Sequence, residues 1–116
     1  MEQRRRPSQL DQLNIKVTDA IIAAEQLENA GNPKMRKAFA QVSIIEEQIA
    51  DLTPHSTLEG QIARRGAVRA AVKSENGARA VNLANTFLQE SGISSQLSAE
   101  LQSLIPNKLK TFLIST

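Results

Sequence analysis

Two stretches of this chain repeat a helical step so regularly that they leave little freedom of fold. Leu10, Leu13, Val17, Ala20, Ala24 and Leu27 follow one another at steps of 3, 4, 3, 4 and 3. The same steps recur in Met35, Ala38, Val42, Ile45, Ile49 and Leu52. Alternating threes and fours draw one apolar stripe along a helix, the pattern of a coiled-coil-like seam. Between the two stretches stands Gly31-Asn32-Pro33. Glycine fits the left-handed position just past a helix, asparagine caps the next one, and proline is tolerated at a first helical position. Residues 8–52 are therefore expected to form an antiparallel helical hairpin, and the fold is expected to be all-α.

The rest of the chain extends that hairpin. Residues 1–7 are charged and polar and close on Pro7, which predicts a flexible basic arm ahead of a single helical domain at 8–116. Ser8 is placed to cap helix 1, with Asp11 where a capping box puts its acid. Lys34, Arg36 and Lys37 open helix 2, and Glu46, Glu47 and Asp51 close it; both sets face the wrong end of the helix dipole, so each needs a partner. Thr53-Pro54 ends the helix, because the residue before proline is driven out of the α region. A long third helix over 56–90 is expected, kinked at Asn76-Gly77, with Ala63, Ala67 and Ala71 giving it a small-residue face for close packing. Short helices complete residues 94–116. The expected architecture is a bundle of four to six helices, with no strand pattern anywhere.

Size and composition bound the core. One domain is expected of 116 residues. Its aromatic residues are Phe39, Phe87 and Phe112, with no Trp or Tyr, so the core must be built from aliphatic residues and alanine, and alanine buries little area. Helix 1 also carries Ile15, Ile21 and Ile22, more apolar surface than one partner helix covers. Association is the expected remedy, most simply as a homodimer through Leu10, Leu13, Ile15, Val17, Ile21, Ile22, Ile45 and Ile49. A net charge of +2 argues against coating nucleic acid by bulk charge. The chain has no cysteine, hence no disulfide, thiolate nucleophile or zinc finger. No apolar run reaches the length of a signal or membrane segment, which predicts a soluble, cytoplasmic protein with no membrane contact.

Catalytic constellations are missing from the pattern. The single histidine, His55, stands between Pro54 and Ser56 with no acidic neighbour to orient it. There is no glycine-rich phosphate loop, nucleophile turn or metal-ligand spacing. The expectation is a non-enzyme with no catalytic residue, metal or cofactor. The cations are more informative. Arg64, Arg65, Arg69, Lys73 and Arg79 cluster around the lone acid Glu75, with Arg65, Arg69 and Lys73 at i, i+4 and i+8. Either helix 3 folds back on helix 2 and Arg64, Arg65 and Arg69 meet Glu46, Glu47 and Asp51, or Arg64, Arg65, Arg69 and Lys73 form a face for phosphates or an acidic partner. A helix-turn-helix about Gly77 fits poorly, since Lys73 and Asn76 occupy positions that want a small and an apolar residue.

The arm offers Arg4, Arg5 and Arg6. Over about seven residues it resembles partition and positioning adaptors, whose short basic N-terminal segment stimulates a partner Walker-type ATPase. That resemblance implies an acidic or ATPase protein partner. The expected function is thus a non-enzymatic helical adaptor or scaffold acting through protein–protein contacts. The alternative is a nucleic-acid-binding protein that uses the basic face of helix 3.

Overall fold

The computed structural model describes residues 8–114, in which the chain is all-helical and packs as a bundle. In chain order the elements are α1 (Gln9–Asn29), α2 (Met35–Leu52), α3 (Leu58–Lys73), α4 (Gly77–Leu88), α5 (Ser95–Leu104) and a terminal 3₁₀ helix (Asn107–Phe112). Among the described residues no helix is long and apolar enough to cross a membrane. The arginines at 4, 5 and 6 lie outside the described residues.

Local sequence chemistry sets the helix ends. The Asp11 amide donates to Ser8 Oγ at 3.1 Å and the Ser8 amide to Asp11 Oδ2 at 3.4 Å, the reciprocal capping box. At the other end of α1, Gly31 takes φ 65°. The Asn32 and Gly31 amides then donate back to the carbonyls of Leu27 and Glu28, satisfying two of the open carbonyls. Pro33 lies in the turn, and α2 begins two residues later than a proline-first start would have it. Two of the reversed charges of α2 are met by distant partners: Arg36 pairs with Glu75, and Glu47 with Arg79 at 2.8 Å.

The single long helix expected over 56–90 is instead two helices. Glu75 adopts φ 62°, the left-handed conformation that usually falls to glycine. Its amide and that of Asn76 close α3 by donating to the Val72 and Ala71 carbonyls. Asn76 then caps α4, its side-chain oxygen accepting from the Arg79 amide at 3.1 Å. Gly77 is the first residue of α4 and not its breaker; a Cβ there would press into the Leu109 side chain.

Helix α2 lies between α1 and α3. Ala63, Ala67 and Ala71 of α3 are buried, and Ser43 Oγ of α2 donates to the Ala67 carbonyl at 2.8 Å, so the two backbones approach closely. On the other side, Leu13, Val17 and Ala24 of α1 are buried, as are Phe39, Val42, Ile45 and Ile49 of α2. The interface proposed from sequence therefore needs correction. Leu13, Val17, Ile45 and Ile49 are core residues of one chain, Leu10 and Ile21 are half-buried, and Ile15 and Ile22 remain exposed.

Buried Arg64 joins four segments. Its guanidinium donates to the carbonyls of Ala50 (3.3 Å), Thr53 (3.0 Å) and Gly60 (2.9 Å), and grips Glu90 at 2.6 and 2.9 Å. It thereby caps the end of α2, fixes the 53–57 loop and ties α3 to the end of α4. The Phe87 ring lies 5.5 Å below it. Gly60 is required beside it, because a Cβ there would overlap the Pro54 carbonyl. The terminal segment docks through Asn85, whose amide donates to the Phe112 carbonyl (3.0 Å) and whose oxygen accepts from Ile114 N–H (2.9 Å).

Arg64→Met should leave the Glu90 carboxylate and two helix-end carbonyls without their donor. The expected loss is about 3–5 kcal/mol in urea unfolding, against near-neutrality for Arg36→Met, whose ion pair is exposed.

Candidate functional site

The small-residue face of α3 brings it close to α2 but leaves it apart from α1. A groove of about 730 Å³ remains between α1 and α3, with α2 as its floor. Two polar bridges span it: Asn14 Nδ2 donates to Glu59 Oε1 at 3.0 Å, and Lys73 Nζ donates to both Glu28 oxygens at 3.1 Å. From Asn14 to Glu28, and likewise from Glu59 to Lys73, is about 21 Å along a helix at 1.5 Å per residue. The two walls therefore run parallel and in step.

Val17, Thr18, Ile21 and Glu25 form the α1 wall; Leu58, Ile62, Gly66, Arg69 and Ala70 are on the α3 wall; Phe39, Val42, Glu46 and Ile49 form the floor. The rim is unusually apolar for a surface. Leu58 is 71% exposed and Ile62 51%, and both line the groove, whereas the exposed Ile15 and Ile22 of α1 are not among its lining residues. Isolated exposed aliphatics are ordinary, but Leu58 and Ile62 stand one helical turn apart on the lip of an apolar groove, as on an interaction surface.

One acid interrupts the apolar floor. Glu46 is 6% exposed, and its carboxylate lies against Gly66, where any Cβ would overlap it. Gly66 thus makes the space that the carboxylate occupies. Burial pushes the Glu46 carboxyl up from 4.5 to about 7, and the positive charge of Arg69 works against that rise. Among the described residues Glu46 has no hydrogen-bond partner and no ion pair within 4 Å; Arg69, exposed on the wall, has neither as well.

The basic cluster of α3 resolves into separate contacts. Arg64 is buried on Glu90, Arg65 meets Glu100 of α5 at 3.4 Å, and Lys73 meets Glu28 of α1 and stands 5.0 Å over the Phe39 ring. A four-residue step advances a helix by about 400°, so each successive member turns roughly 40° from the last. Arg65 and Lys73 consequently diverge by about 80° and reach different helices, α5 and α1. The expected meeting with helix 2 is realised only in part: Arg69 acts on Glu46, but Glu47 is taken by Arg79. His55 Nε2 lies 2.8 Å from the Ser91 carbonyl and links two loops.

In the sequence Glu46 is one of three acids at a helix end, and nothing local marks its place in a groove. The available signal was Gly66, the one residue without a side chain in a run of alanines opposite it.

Glu46 binds its proton more tightly folded than unfolded, so ionising it costs stability. That stability is present below pH 4.5 and is lost as pH rises towards 7 and above. In dilute protein at pH 8, Glu46→Gln should raise the unfolding free energy by about 1–2 kcal/mol after allowance for screening by groove water. The gain over wild type should vanish by about pH 4 in parallel urea titrations.

Compared with protein-family models, curated proteins and solved structures, the chain matches none of them.

Proposed function

We propose that this protein is a non-enzymatic helical adaptor or scaffold that acts by binding other protein surfaces. The observation that carries this reading is the apolar groove along α1 and α3, open over about four helical turns and lined by Val17 and Ile21 of α1 and by the exposed Leu58 and Ile62 of α3. A surface of that length and polarity suits a helix laid along it more than a small polar substrate. A 14-residue helix about 10 Å across occupies roughly 1,600 Å³, of which the inner half is close to the groove volume.

The nucleic-acid alternative has less support. It relied on a shared cationic face, and Arg64, Arg65, Lys73 and Arg79 each neutralise an acid within the fold. Within that cluster Arg69 remains without an ion pair among the described residues, and one such cation releases too few counterions for tight phosphate binding.

The basic arm completes the proposal. Arg4, Arg5 and Arg6 precede the α1 cap in sequence, and arginine forks suit a carboxylate-rich partner, such as the ATPase type implied by the arm's resemblance. The reading is one of a folded body that presents this arm, with homodimerisation of the body and a cytoplasmic location as parts of the same proposal.

Affinity capture with the whole chain from its native cell tests this. A partner retained by wild type should be lost at least tenfold, about 1.4 kcal/mol, when Arg4, Arg5 and Arg6 are all replaced by alanine. Helicity and melting temperature should stay unchanged. Binding to random duplex DNA at about 50 mM salt, falling steeply as salt rises, would replace this reading with the nucleic-acid one.

A further inference from the structure

We infer that the α1–α3 groove receives an amphipathic helix of another protein that carries one lysine or arginine in the middle of its apolar face, with buried Glu46 as the anion that takes the cation. This rests on the reading of the groove as a protein-binding face and names the chemistry of what binds there.

The first support is the state of the Glu46 carboxylate. The residue is 6% exposed and lines the groove. Among the described residues every fully enclosed side-chain oxygen or nitrogen has a hydrogen-bond partner. The Glu46 oxygens have none, so they are not fully enclosed and keep an opening onto the groove. A side chain at position 66 would fill the space in which they lie. An ionised carboxylate among apolar side chains lacks the donors that water supplies. A lysine or arginine head brings several N–H donors together with the opposite charge.

The second support is the charge balance of the groove. Lys73 is matched by Glu28. Of the lining charges that leaves three acids, Glu25, Glu46 and Glu59, against one cation, Arg69. Asn14, the partner of Glu59, is neutral and leaves its charge in place. Arg69 acts on Glu46 from beyond ion-pair distance. With Glu46 ionised the remainder is one minus three, or −2. A groove of that sign draws in a cation and repels a second copy of itself.

The third support is the place of the carboxylate. Gly66, beside it, is seven residues from Glu59 and seven from Lys73. Glu46 therefore stands midway between the two bridges, about 10 Å from each along α3. Its surroundings are apolar in both directions: Leu58 and Ile62 lie towards one bridge, and Phe39 lies under Lys73 at the other. A visiting helix answers this with an apolar residue about one turn to either side of its cation. Such a set spans about 10 Å and fits between the bridges. The stem of a lysine or arginine is itself apolar, so it packs on the walls while its head reaches the floor. A helix suits the groove better than an extended segment. Helical walls offer no strand edge, and an extended backbone laid there would leave its amides unpaired.

Glu46 must be ionised to take the cation, which links binding to pH. The charged groups that face it are Glu25 of α1 and Glu59, Arg69 and Lys73 of α3, and α2 adds no other charge to the lining. Burial holds its carboxyl at about 7, so the anion is present above that pH and lost below it. Binding therefore tightens as pH rises through about 7.

The test is selection of binders to the whole chain at pH 8 from a displayed library of helical peptides, each about four turns long and randomised on one face. Recovered peptides should carry a single lysine or arginine between apolar residues. In fluorescence anisotropy, replacing that cation by leucine should weaken binding at least tenfold, and the parent peptide should bind several-fold more tightly at pH 8 than at pH 5.5. Glu46→Gln should remove both the preference and the pH dependence. Its fold is expected to be at least as stable as wild type at pH 8, so that loss is not unfolding. Ile62→Lys, at an exposed lip position, should weaken every recovered peptide while keeping the wild-type circular dichroism. Recovery of no binder overturns the inference, as does a cation preference that persists in Glu46→Gln. A wild-type dimer that Ile62→Lys converts to monomers also overturns it, by placing a second copy in the groove. Binders that lack a cation but are lost in Ile62→Lys remove the chemistry named here and leave the groove a protein-binding face. Binders indifferent to Ile62→Lys remove both.

Discussion

Close contact between α2 and α3 is the constraint from which the rest of the architecture follows. Alanines at 63, 67, 70 and 71 bury almost completely, and a helix with such a face can approach its neighbour until backbone and short side chains touch, as Ser43 does with the Ala67 carbonyl. A helix held that tightly to α2 cannot also reach α1. Larger residues on α3 would have pushed it outward and let it share a three-way core. Alanine keeps it flat against the floor, so the gap to α1 stays open and only long polar side chains cross it.

That geometry decides which charges matter. Arg64, at the α2 end of the contact, is buried where unpaired cations are not tolerated, and it is matched by a carboxylate and three carbonyls. Its chemistry is spent on holding four segments together. Glu46 of α2 is nearly as buried, but it has only the nearby charge of Arg69 and no ion pair within 4 Å among the described residues. The two are opposite cases of one rule. A buried charge with a full set of partners is structural, whereas one with few partners costs stability when ionised. Gly66 strengthens the contrast, since an alanine there would displace the carboxylate.

The surface is organised by the same logic. Of the cations on α3, those at 64, 65 and 73 each lock to a different element, because Arg64 and Arg65 diverge by about 100° around the helix and Arg65 and Lys73 by about 80°. A row that reads as one face in sequence thus becomes three separate tethers to α4, α5 and α1. Only Arg69 keeps its charge available beside the groove, and with Leu58 and Ile62 it gives the α3 lip both an apolar and a cationic character.

By itself the sequence determined the elements. The stepped aliphatics of residues 10–27 and 35–52, the Ser8–Asp11 box, Gly31 and the alanine run of α3 act through neighbours within four or five residues, so their meaning is local and readable. The break after Lys73 is also local, but it placed the left-handed residue on Glu75 and the cap on Asn76, so the glycine at 77 was a misleading sign. What only tertiary structure decided was pairing over distance. Arg64 with Glu90, Lys73 with Glu28 and Arg79 with Glu47 are 26, 45 and 32 residues apart, and no spacing rule connects them. The groove is of the same kind. Its floor and walls come from three helices, and the isolation of Glu46 exists only once α1 and α3 have taken opposite sides of α2.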